Sequence, residues 1–251
     1  MTTQQLFYER AVPLTPTRHG TWSLEVSADY GFARNANSVP LVAAEFPSAA
    51  REYPIVFVPT EGAIVAAALL GPRGGPNRYV GADGAWRARY VPAFVRRYPF
   101  VFAAGENPKT RPLCIDEACP GCNQEGRGER LFDAEGKPTP FLQKTLRFVE
   151  DYQVQFDRTL ALCERLKELG LLERMQAKIT MDAAGTTAPT GSFDVVGRDR
   201  LKALSGEALA RLTRSDDLEL IHLHLQSLRH LATTGRAARA GGAGGAGDAR
   251  G

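Results

Sequence analysis

An α+β fold with a mainly antiparallel sheet is what this sequence predicts, and three observations carry it. Short β-branched and aromatic runs such as Ile55 to Val58 are bounded by turn residues. One stretch, Pro140 to Leu169, keeps a helical spacing of apolar residues over its whole length. Strands and helices then mix without a regular strand, helix, strand alternation, which disfavours a doubly wound parallel sheet. The long helix is expected to pack across the sheet, with a second helical segment at the C-terminal end.

In chain order, Trp22 to Ser27 is a strand candidate and Ala43 to Glu52 a brief helix, ended because Pro54 discourages helix in Tyr53. Ile55 to Val58 is a strand, and Ala63 to Leu70 follows a turn at Thr60 to Gly62 where an adjacent strand belongs, although it is rich in alanine. Asp83-Gly84 supplies the positive φ of a tight turn between Tyr79-Val80 and Trp86, and FDAEGKP at 132 to 138 repeats the signal. Val91 to Tyr98 reads as a short helix, followed by strands at Pro99 to Ala104 and Arg111 to Asp116. In the long helix Thr139 is the N-cap, Pro140 the first helical residue and Gly170 the stop; Leu142, Leu146, Val149, Phe156, Leu160, Cys163 and Leu166 form its core stripe. Strands return at Met175 to Met181 and Ser192 to Val196, and Arg200 to Leu231 reads as two helices broken near Ser215.

Size and charge bound the function. A chain of 251 residues, 43% hydrophobic and 24% charged, folds around its own core without needing disulfides or a structural metal. Residues 1–234 are expected to form one domain and 235–251 a disordered tail rich in Gly, Ala and Arg. The tail holds three Arg and one Asp, which leaves the rest of the chain at only +1, without the concentrated basic face that nucleic acid requires. The start has no basic n-region or apolar run of signal-peptide length, and nothing reaches membrane-span length. Four cysteines in such a chain point to reduced thiols and a cytoplasmic location.

Most chemical motifs are missing or have a plain structural reading. GPRGGPN at 71 to 77 lacks the Lys-Ser end of a phosphate loop, and no G-x-S-x-G or H-E-x-x-H occurs. Cys114, Cys119 and Cys122 have the C-x4-C-x2-C spacing that opens an iron–sulfur site, with Cys163 as a conceivable fourth ligand. Cys163 lies on the helix stripe and Cys114 within a strand, so the expectation is a buried thiol plus two loop thiols, with no metal or other cofactor. The pair Cys119 and Cys122 has redox-dithiol spacing but does not open a helix. His222 and His224 point apart on a helix, His222 to water and His224 into the core.

One constellation remains. If Pro99 to Ala104 pairs antiparallel with Arg111 to Asp116, Ala104 faces Arg111 and Asp116 faces Pro99, which sets Asp116 and Glu117 beside Arg96, Arg97 and Tyr98. Such a corner suits a polar ligand or a peptide end; its plainer reading is a structural ion pair closing a hairpin.

Several runs together resemble the bacterial SapC family: NSVPLVAAEFPSAAREYPIVFV at 37 to 58, ALLG at 68 to 71, ARYVPAFVRRYPFVFA at 88 to 103, CIDE at 114 to 117, LFDAEGKPTPFLQKTLRFVEDYQ at 131 to 153 and LELIHLHLQSLRHL at 218 to 231. CPGC at 119 to 122 lies outside them. The family takes its name from a component linked to a paracrystalline surface layer and carries no agreed catalytic motif. The resemblance therefore implies a binding or accessory factor for a surface-layer or uptake system, with a protein or peptide partner. Two other readings stand beside it: an enzyme using Arg96, Arg97, Tyr98, Cys114, Asp116 and Glu117, and a surface-layer structural protein.

Overall fold

The computed structural model describes residues 6–103, 111–181 and 184–231. The expected pairing of Ala104 with Arg111 and the tail at 235–251 lie outside the described residues.

Alternation of side chains in the hairpin of β4 (Ile55–Pro59) and β5 (Ile64–Leu69) creates two apolar faces. Ile55 and Phe57 enter the main core, whereas Val56 joins Ala67, Leu69, Phe193 and Val195 on the opposite side. β3 (Ser38–Pro40) pairs with β5, and β11 (Thr187–Val196) joins β4 and carries β10 (Leu172–Thr180) at the edge. All neighbours in this five-stranded sheet are antiparallel. The last two strands run further than their apolar residues indicate, because polar cross-strand pairs extend the ladder; Arg174 faces Asp194 and pairs with it at 2.7 Å.

Two small sheets complete the β structure, β1 (Ala11–Pro13), β7 (Leu113–Asp116) and β6 (Phe100–Phe102) in the order β1-β7-β6, and β8 (Cys122–Asn123), β2 (Ser23–Leu24) and β9 (Glu129–Arg130) in the order β8-β2-β9. The expected strand from Trp22 to Ser27 shrinks to β2 because side-chain turns take over: Ser27 Oγ accepts from Asp29 N–H and Asp29 Oδ1 from Gly31 N–H. The two expected tight turns form, with Gly84 at φ 80° inside the Val80–Trp86 bridge and Gly136 at φ 76° inside Phe132–Pro138.

The short helices are α1 (Pro16–His19), α2 (Phe46–Ala49), which continues a 3-10 turn at Ala43–Glu45, and α3 (Ala93–Arg96). The long helix α4 (Pro140–Glu168) starts at Thr139, whose hydroxyl accepts from Leu142 N–H at 3.3 Å, and stops before Gly170 at φ 63°. Its first half packs Leu142 and Val149 with Phe100 and Ile115; its second half packs Phe156, Leu162, Cys163 and Leu166 into the main core. Crossing two cores rotates the buried stripe, so Leu146 and Leu160 are only half-buried while Tyr152, Thr159 and Leu162 are buried. The alanines of β5 explain the close approach of α4: Ala66 and Ala68 are fully buried and leave room for the helix where a larger strand residue would hold it off.

Three helices follow instead of two, α5 (Arg198–Lys202), α6 (Gly206–Arg214) and α7 (Asp217–Ser227). The break near Ser215 is where the sequence places it, and the additional one comes from Ser205, an N-cap that accepts from Ala208 N–H. Buried Asp217 takes both guanidinium contacts of Arg165, at 2.7 and 2.9 Å, and so fastens α7 to α4. His224 is fully buried between two strands: its Nδ1 donates to Ile55 O at 2.9 Å and Nε2 accepts from Val196 N–H at 3.0 Å. His222 is exposed. Among the described residues no helix is long and apolar enough to cross a membrane.

Candidate functional site

The register of β6 and β7 matches the one read from the sequence: Phe100 faces Ile115, and Asp116 N–H donates to Pro99 O at 2.9 Å. That pairing brings Asp116 to Tyr98, whose hydroxyl lies 3.3 Å from Asp116 Oδ2. The rest of the expected corner divides. Asp116 is fully buried and accepts from the backbone N–H groups of Glu9, Arg10 and Ala118 at 2.9 to 3.1 Å, which pins the incoming N-terminal segment. Glu117 receives Arg18 at 2.5 and 2.8 Å, Arg10 at 3.2 Å and His19 at 3.2 Å. Hydrogen bonds from Arg18 are the main reason its carboxyl sits below the ordinary glutamate range. Thus Glu117 pairs with the N-terminal segment and not, as expected, at the side of Arg96 and Arg97. The physical reason is that β1 occupies the far edge of β7, and that strand is too short and too interrupted by proline to be read from its residues.

The two arginines also part company. Arg97 is only 2% exposed; its guanidinium lies 4.3 Å from the Phe94 ring centroid and 4.8 Å from that of Tyr152, beside the Tyr8 hydroxyl. Arg96 is exposed, donates to Val91 O at 3.0 Å and lies 5.2 Å from the ring centroid of Phe148.

Arg96, Arg97 and Tyr98 all line an open cleft of about 590 Å³ between the start of α4, the α3–β6 junction and the turn after β7; Asp116 and Glu117 do not. Phe32, Phe141 and Phe148 supply aromatic walls, Lys144 a further cation, and Glu25 and Asp29 carboxylates. Phe32 stacks on Tyr98 with ring centroids 4.1 Å apart, which fixes that wall. A cleft of this size, with apolar walls and charges of both signs, has the make-up of a small-ligand site. The α4 contribution escaped the sequence reading, although Phe141 and Phe148, seven residues apart and off the core stripe, were its legible signal.

Cys119 lines the same cleft. The turn Cys119-Pro120-Gly121-Cys122 is closed by a hydrogen bond from Cys122 N–H to Cys119 O at 3.0 Å, and Glu25 N–H donates to Gly121 O at 2.9 Å. A Cβ on Gly121 would stand 2.5 Å from Glu25 O, so glycine is what allows β2 to approach. The neighbouring Cys122 thiol, with the Gly121 backbone and the Tyr98 hydroxyl, pulls the Cys119 thiol down to about 7 despite partial burial; the Cys122 S–H itself donates to Asp116 O at 3.7 Å. Cys122 is correspondingly pushed up. Cys163 is buried in the main core and pushed up by burial to about 12, and buried Cys114 is also raised. Among the described residues no three His, Cys, Asp or Glu side chains gather in a group able to hold a metal ion.

No curated protein and no solved structure matches this chain. A family model described as SapC matches residues 14–233, a span that contains the residues lining the cleft and the whole of α4. On that match, which covers most of the chain, the protein belongs to the SapC family.

Proposed function

We propose that this protein acts by binding, as an accessory factor whose cleft takes a peptide segment of a partner protein. The observation that carries the reading is the composition of the cleft, in which aromatic walls from Phe32, Phe141 and Phe148 lie among exposed Arg96, Lys144, Glu25 and Asp29. Aromatic walls offer area that a side chain of either polarity can use, and the charged groups can meet a carboxylate and an ammonium at once. Asp116 and Glu117 then hold the site together from behind: their partners are backbone N–H groups and the side chains of Arg10, Arg18 and His19. Under this reading the protein works in the cytoplasm, where Cys119 and Cys122 are kept as thiols. A role for a surface-layer or uptake system follows from the family name and belongs to the same proposal.

The test is selection of binding peptides from a random library with purified protein, followed by fluorescence polarisation. Selected peptides should contain a carboxylate near an aromatic or aliphatic residue, and the double variant Arg96→Ala with Lys144→Ala should weaken them by about tenfold or more while melting as the wild type does. Failure to select any peptide, or equal affinity in the variant, refutes the reading. Turnover of a small molecule by the wild type would favour an enzyme instead.

A further inference from the structure

Three features meet at the turn between β7 and β8. The hydrogen-bonded four-residue turn holds the Cα atoms of its first and last residues within about 7 Å, the upper end of the span that a disulfide bridges. Cys119 and Cys122 are both free thiols, neither fully buried. One of them, Cys119, lines a cleft that is open to solvent and large enough for a ligand of tripeptide size, while Cys122 does not line it and donates to Asp116 O at 3.7 Å.

We propose that Cys119 and Cys122 form a redox-active dithiol that exchanges with a small peptide-type disulfide entering the cleft, Cys119 as the attacking sulfur and Cys122 as the resolving one. The Cys119 thiolate attacks one sulfur of the incoming disulfide, a Cys119–ligand disulfide forms, and the first ligand thiol leaves and takes a proton from water. Cys122 then loses its proton and attacks Cys119; the Cys119–ligand bond breaks, the Cys119–Cys122 bond forms, and the second ligand thiol leaves with that proton. Two electrons pass from the dithiol to the ligand disulfide, and two ligand thiols are released.

The surroundings favour this order. The groups beside Cys119, namely the Cys122 thiol, the Gly121 backbone and the Tyr98 hydroxyl, favour its anion, and Arg96 and Arg97 line the cleft that it also lines. Cys122 is raised chiefly by the neighbouring Cys119. Once the Cys119 charge is consumed by the first bond, the largest cause of that elevation is removed and Cys122 loses its proton more readily. Cys114 and Cys163 are buried and raised, so they do not compete.

The reaction is stoichiometric in reduced protein and goes beyond peptide binding; it needs a disulfide within reach of Cys119, not an occupied peptide site. The experiment uses oxidised glutathione as the probe. In wild type it should yield the Cys119–Cys122 disulfide, seen by mass spectrometry as loss of two alkylatable thiols. Cys122→Ser should stop at one glutathionyl adduct on Cys119, and Cys119→Ser should yield neither product. Because a variant can fail to fold, native wild type is also alkylated with iodoacetamide across pH: Cys119 should label at pH 7 about tenfold or more faster than the other three cysteines, with a midpoint near 7. Adducts on Cys122 first, no adduct in folded Cys122→Ser, or equal labelling of Cys119 and Cys122 would overturn the proposal. No partner peptide is present, so the result is independent of the peptide-selection test.

Discussion

Arg97→Ala should unfold this protein far more readily than Arg96→Ala, although the two residues are adjacent and carry the same charge. Arg97 is 2% exposed and sits against two rings, 4.3 Å from the Phe94 centroid and 4.8 Å from Tyr152. A desolvated cation–π contact stabilises by about 2 kcal/mol, and the two here share one cation, so their sum is less than double. Truncation also removes the buried stem and leaves a cavity between α3 and α4. Together these give a loss of about 2–4 kcal/mol, against about 1 kcal/mol or less for Arg96, whose head group is exposed. Arg97→Met, which keeps volume but not charge, should recover part of the loss, because a buried cation carries its own desolvation cost. Urea denaturation followed by tryptophan fluorescence reads all three, with the slope checked for constancy so that the midpoint shift is a stability change. Arg97→Ala within 1 kcal/mol of wild type, or Arg96→Ala as costly as Arg97→Ala, would refute the packing argument.

His224 makes stability depend on acid: burial pulls its imidazole down to about 4, so the unfolded chain binds a proton that the folded one refuses. Its contribution is complete above the ordinary histidine value and falls away as pH drops from about 6.5 towards 4, by about 3 kcal/mol in all. Urea midpoints between pH 7.5 and 4.5 should therefore fall more steeply for wild type than for His224→Gln, and parallel curves would disprove the assignment. Gly121→Ala should cost about 1–3 kcal/mol and disturb the Cys119 turn, since the added methyl meets Glu25 O at 2.5 Å. Thermal melting together with the rate of Cys119 alkylation measures both effects; an unchanged melting temperature and rate would mean that β2 gives way freely.

Where the governing forces are local, the sequence by itself determined the outcome. Thr139, Pro140 and Gly170 mark the ends of α4, the Asp83-Gly84 and Glu135-Gly136 turns have their glycines at positive φ, and the β6–β7 register is the antiparallel one the two apolar runs predict. His224 was legible as a core residue because helical spacing alone aligns it with its apolar neighbours. Tertiary structure decided what the charged residues do. Glu117 meets Arg18 across 99 positions of chain, and Arg97 becomes a buried cation only because Tyr152 arrives on α4. Neither partner is within the few residues over which propensity, capping and periodicity act. The same holds for the cleft, whose walls come from β2, α3, the β7–β8 turn and α4, and for Cys119, whose spacing to Cys122 is written in the sequence but whose place beside Tyr98 in the cleft depends on the β6–β7 pairing. Side-chain electrostatics depend on what the fold excludes from water and brings within a few ångströms, and that is a property of the assembled chain.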